Sequence, residues 1–195
     1  MASIKVLGAT VPIEFKVGEE AVLPMDRAAI LKGAGDMAAL INSKTWPPAF
    51  AAAFKGMKKI VFFEGKVKVN GFLVDRPGVD EDDAIFYWEA SEFSNNTDAD
   101  VRANTFFHDC WHVVQFKAKG KKFARTEKER VAREVDAINQ QIAVARILGN
   151  DAREIKFLED FRDDQARIKA RLDEGVGASA GAVAPHKPGA MRPGG

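Results

Sequence analysis

The run FFHDCWHVVQF, residues 106–116, constrains this chain more than any other stretch. Most of its residues are apolar and demand burial, yet it carries His108, Asp109 and His112 into the interior with them. Polar groups taken out of water need partners. On a helix, at about 100° per residue, His108 and His112 lie about 40° apart on one face. Two imidazoles one turn apart can bind a single tetrahedral metal ion, zinc above all. Asp109 sits about 100° round from His108, where its carboxylate would reach a water on the metal rather than the metal itself. The competing reading is structural: two hydrogen-bonded core histidines on a helix that packs without any ion.

A zinc site of this kind takes three protein ligands and leaves the fourth position to water. The chain has three histidines, and the remaining one, His186, lies in a Gly/Ala/Pro-rich tail. The third ligand should therefore be a carboxylate from a later helix. The pattern after Thr126 has an apolar face of Val131, Val135, Ile138 and Ile142. Glu134 lies about 70° from the centre of that face and Asp136 about 130°. Glu134 can look inwards from the margin of the core, whereas Asp136 looks out to solvent. Glu127, about 50° from the centre, is a second candidate in the fraying first turn.

The single cysteine, Cys110, excludes an intrachain disulfide and any cysteine-based zinc cluster. It lies about 160° from the midpoint of the two histidines, which makes it a buried structural thiol rather than a nucleophile. A net charge of +1 gives no global attraction to nucleic acid or to an anionic membrane. The basic connector KAKGKKFARTEKER is interrupted by Glu127 and Glu129 and lacks aromatic interleaving, so no nucleic-acid partner is expected. No stretch is long and apolar enough to span a membrane, and no signal peptide is evident. The expected location is cytoplasmic, with signal-less export left open. The acidic loop VDEDD lacks the spacing of a calcium-binding hand.

Organisation follows from punctuation. IKVLGA and VPIEFKV suggest a short strand pair, and a helix is expected from Asp26 to Ser43. A second helix should start at Pro47 and end near Gly56. KKIVFF, GKVKV and GFLVD are strand-like, with turn signals at Glu64-Gly65 and Asn70-Gly71. The loop DRPGVDEDD precedes AIFYWEASEF, the strongest strand candidate, and the histidine helix follows. Two long helical patterns joined at Gly149-Asn150 predict an antiparallel hairpin, with Asn150 capping the second. The fold class expected is α+β over residues 1–174: a small, mostly antiparallel sheet, a metal-binding helix and a C-terminal helical hairpin. Residues 175–195 read as a disordered tail.

With these residues in view, the chain resembles the zincin metallopeptidases. FFHDCWHVVQF looks like that family's HExxH metal-binding helix, with aspartate in place of glutamate. The REVDA segment looks like its downstream, glutamate-bearing helix. The resemblance covers residues 84–148. It implies that His108, His112 and Glu134 ligate zinc, that Asp109 is the general base, and that AIFYWEASEF is the edge strand holding extended substrate. The implied substrate is a peptide or a peptidoglycan-type amide. Aspartate is one methylene shorter than glutamate, drawing the carboxylate back by about 1 Å or more, and such a displacement can cost about 10²-fold in rate. A non-catalytic binding protein on a zincin-like scaffold is therefore the alternative. His-Asp pairs also occur in HD phosphohydrolases and secreted phospholipases. The first need an upstream histidine and the second flanking cysteines, and this chain has neither.

Overall fold

The computed structural model describes residues 2–21, 24–69, 72–119 and 126–174. The expected tail with His186, the Asn70-Gly71 turn and residues 120–125 of the basic connector lie outside them.

Strands β1 (Ala2–Val6) and β2 (Ala9–Val17) form the expected antiparallel hairpin. Its turn places Leu7 and Gly8 at φ 50° and 85°, the double left-handed geometry of tight hairpins. Leucine tolerates this conformation with help from Asn42, whose Oδ1 accepts from the Leu7 N–H at 2.6 Å. Helix α1 (Arg27–Ser43) starts at Asp26, whose carboxylate accepts from the N–H groups of Ala28 and Ala29. Helix α2 (Pro48–Gly56) follows, with proline in its first turn.

These two helices return the chain so that β3 (Lys59–Glu64) runs parallel to β2, with Ile13 opposite Ile60. A small antiparallel pair, β4 (Val67–Val69) and β5 (Phe72–Val74), intervenes. Next come β6 (Gly78–Asp80) and β7 (Ile85–Glu89). The principal sheet has the order β1-β2-β3-β7-β6. It is mixed rather than mostly antiparallel, because β2–β3 and β3–β7 are parallel while β6 pairs antiparallel with β7. For β2 and β3 the cause lies in the connection: the helical crossover through α1 and α2, unlike a tight turn, delivers the next strand in the same direction.

The expected strand AIFYWEASEF is also cut short. Its strand portion stops at Glu89, and Ala90 begins helix α3 (Ala90–Asn95), where Ala90 and Phe93 are buried at helical spacing. Moreover β7 is interior, flanked by β3 and β6. The edge strand beside it is β6, inside the segment expected to be a loop, and it packs against the histidine helix.

That helix, α4 (Ala99–Lys119), packs against α5 (Glu127–Leu148), and α5 packs in turn against α6 (Ala152–Asp173). Thr126 and Glu129 form a reciprocal capping box on α5, and Gly149 closes it at φ 90°. Asp151, not Asn150, caps α6, accepting from the Glu154 N–H. Ion pairs Lys128–Asp173 and Arg146–Glu159 join opposite ends of the two helices, which fixes them as antiparallel.

Phe106, Phe107, Cys110 and Val113 of α4 are buried in the main core with Phe54, Phe86 and Trp88. Phe106 stacks on Phe54 at 6.2 Å between centroids, and Phe107 meets Phe50 edge-on at 5.1 Å. This aromatic face locks the rotation of α4, so the opposite face, bearing the histidines, is set against α5. Arg102 anchors its first turns. It is buried against Gly33, where a Cβ would come within 2.2 Å of the guanidinium, and it donates twice to the Phe93 carbonyl. Among the described residues, no helix is long and apolar enough to cross a membrane.

Candidate metal centre

α4 carries His108 and His112 one turn apart, each 4% exposed, and α5 packs across them. Their Nε2 atoms face one another at 3.0 Å. Glu134 of α5 closes the triangle, with Oε2 at 3.3 Å from His108 Nε2 and Oε1 at 3.3 Å from His112 Nε2. A tetrahedral zinc with bonds of about 2.0–2.1 Å has ligand atoms about 3.3–3.4 Å apart. The separation of the two nitrogens is near that edge length, and each ring meets a different oxygen of Glu134 at the same scale, so two neutral nitrogens and one anionic carboxylate suit the ion in type.

The far side of each ring is occupied. His108 Nδ1 lies 3.0 Å from Gln141 Oε1, and His112 Nδ1 lies 2.9 Å from Gln115 Oε1. The second amide can be oriented from its other contacts. Gln115 Nε2 donates to the Arg133 carbonyl at 3.1 Å and to Asp136 Oδ2 at 2.6 Å, both of which only accept. The atom facing His112 is therefore the amide oxygen, so Nδ1 must carry the proton and donate. In the neutral ring this leaves the Nε2 lone pair directed at the cluster. Asp136 is held in turn by Trp111, whose Nε1 donates to it at 2.9 Å. Such outer contacts fix the tautomer and angle of a ligating histidine.

Electrostatics bind the triangle together without an ion. Burial would lower the pKa of His112, but the hydrogen bond and charge of Glu134, aided by Asp109, raise it above its ordinary value. Burial would raise Glu134, yet hydrogen bonds from His108 and His112 hold its carboxyl far below the usual carboxylate range. The acid is thus ionised and able to face a cation.

Of the residues singled out in the sequence, His108, His112 and Glu134 come together, with ligand atoms all within 4.8 Å of one another. Asp109 is 1% exposed and influences His112, but it does not belong to this cluster. Glu127 pairs instead with Arg130 in the first turn of α5. Asp136 is exposed as expected, yet it reaches back to steady Gln115. Cys110 is fully buried away from solvent, with its thiol pushed up by burial and then by the charge of Asp109. Sequence reasoning missed Gln115, Gln141 and a further carboxylate, Glu81. The last sits directly after β6 and pairs with Arg133, each side chain 17% exposed. Periodicity held a signal for Gln141, since it lies two turns after Glu134 and about 20° away on the same stripe of α5.

No family model, no curated protein and no solved structure matches this chain.

Proposed function

We propose that this protein is a zinc-dependent hydrolase of the zincin type, acting on a peptide or a peptidoglycan-type amide. One observation carries the reading: two imidazole nitrogens 3.0 Å apart, each 3.3 Å from a different oxygen of the one Glu134 carboxylate, on rings whose Nδ1 atoms already have partners. Zinc bound there would act as a Lewis acid and bring the pKa of water towards neutrality. The chain's own groups divide the remaining work. His108 and His112 offer neutral nitrogens, and Glu134 contributes the compensating negative charge. Gln115 and Gln141 hold the rings. Asp109 accepts the proton from the attacking water, as a general base on the same helix.

A second reading, a non-catalytic binding protein on this scaffold, is favoured by Asp109 itself. That carboxylate is shorter than glutamate, 1% exposed and outside the ligand cluster. Metal analysis of the purified protein tests the premise of the first reading. We expect about one zinc per chain, lost in His108→Ala and in Glu134→Ala. Absence of bound metal after incubation with excess zinc overturns both the enzyme and the metal site. Zinc binding without hydrolysis of any peptide or muropeptide library selects the second reading.

A further inference from the structure

Glu134 is delivered to the centre by a segment held from two sides. On one side, the backbone carbonyl of the preceding residue, Arg133, accepts from Gln115 Nε2 at 3.1 Å, and the same amide receives His112 Nδ1–H. On the other side, the Arg133 side chain pairs with Glu81. Glu81 is itself firmly placed. It opens the four-residue turn 81–84 between β6 and β7, in which the Asp83 N–H donates to Asp80 Oδ1 at 3.1 Å. The turn ends at Ala84, fully buried in a left-handed conformation, whose carbonyl accepts from the Lys58 N–H at 2.9 Å. The ion pair is half sheltered, where a charge-assisted bond keeps more of its strength than at an open surface.

We infer that Glu81 is a positioning residue for the third ligand: through Arg133 it clamps the Glu134 turn of α5 to the end of edge strand β6. The clamp and the Gln115 contact together fix the two residues 133 and 134 between α4 and the sheet. Glu81 thereby ties the ligand triangle to the sheet edge, although the three ligands themselves come only from helices. The inference rests on the zinc reading above, and it adds a residue that no helical pattern around the histidines contains.

The test is zinc affinity, measured by competition with a chromophoric chelator, alongside far-ultraviolet circular dichroism and melting of the zinc-free protein. Glu81→Gln, Arg133→Gln and the double variant are compared with the parent, and Glu81→Asp serves as the conservative change. Each single substitution should weaken zinc binding about 10–100-fold, the range for groups that orient ligands. The double variant should be no weaker than the worse single, because both remove one contact. Glu81→Asp should recover part of the loss, and helicity should be unchanged throughout. Affinity within about twofold of the parent in a folded Glu81→Gln protein overturns the inference, as do additive losses in the double variant. If Glu81→Gln and Glu81→Asp both fail to fold, the pair serves fold stability and the inference again fails. A parent protein that binds no zinc is a different result and removes the metal reading itself.

Discussion

Gln115 Oε1 and His112 Nδ1 lie 2.9 Å apart, and the amide cannot turn round because its nitrogen already serves the Arg133 carbonyl and Asp136. One ring is thus committed to a single tautomer by a residue outside the ligand cluster. His108 has the equivalent partner in Gln141 at 3.0 Å. The triangle is prepared from behind as well as in front, and several measurable consequences follow from that arrangement.

Removing the amides should weaken zinc without removing it. Gln115→Ala and Gln141→Ala are each expected to lower zinc affinity about 10–100-fold. Loss of affinity in neither would mean that the rings keep their orientation through packing alone.

Zinc should stabilise the fold by mass action. At a free concentration 100 times Kd the gain is about 2.7 kcal/mol. For a domain of this size that corresponds to a rise in Tm of roughly 5–10 °C. The rise should vanish on adding chelator and be absent in His112→Ala. Calorimetry with and without zinc decides it.

Acidity should act on the zinc-free protein from two directions. Glu134 is held below its ordinary value of 4.5, so its contribution is present above that value and is lost as pH falls through the depressed one. His112 is raised above 6.5, so its contribution is complete below 6.5 and fades as pH rises through the raised value. Denaturant melts between about pH 5 and about pH 9 should therefore show stability from this site declining on the alkaline side. Glu134→Gln should flatten that slope. Zinc affinity runs oppositely, rising over the same interval as His112 gives up its proton.

Asp109 can be tested at constant metal content. Asp109→Asn should reduce amide hydrolysis by about 10²-fold or more while leaving one zinc in place. Asp109→Glu should restore the longer reach and raise the rate. Hydrolysis that persists unchanged in the asparagine variant would assign the proton transfer elsewhere.

Cys110 should be inert in the native state. It is fully buried and its thiol is pushed up by its surroundings, so thiolate is scarce at neutral pH. A chromogenic disulfide reagent should label it only after denaturation. Rapid labelling of the folded protein would contradict the packing of α4.

The ligand triangle was legible because helix geometry is local. Positions 108 and 112 share a face on any helix, and Glu134 was found by its angle to four apolar residues, three of which, Val131, Ile138 and Ile142, are buried. The hairpin of α5 and α6 could be read for the same reason, from Thr126, Gly149 and helical spacing, although the cap fell on Asp151. The sheet was harder. Whether β3 joins β2 in parallel depends on how α1 and α2 pack, which no window of β3 encodes. β6 is only three residues long and looked like loop beside Pro77 and the acidic run. The strand–helix change at Glu89 was masked because Ala90 and Phe93 suit either period. Glu81 escaped notice since its partner stands on a distant helix.

The donors of the triangle and both glutamines belong to α4 and α5, neighbours in the chain, whereas the sheet must join residues as far apart as Ile13 and Ile60 through two intervening helices. Contacts that close short stretches tend to form ahead of those that close long ones. A cation in the refolding buffer would then meet its donors on a half-built polypeptide, and refolding should become faster with zinc instead of unfolding merely becoming slower. Stopped-flow traces in which only the unfolding limb responds would show that the helices wait for the sheet.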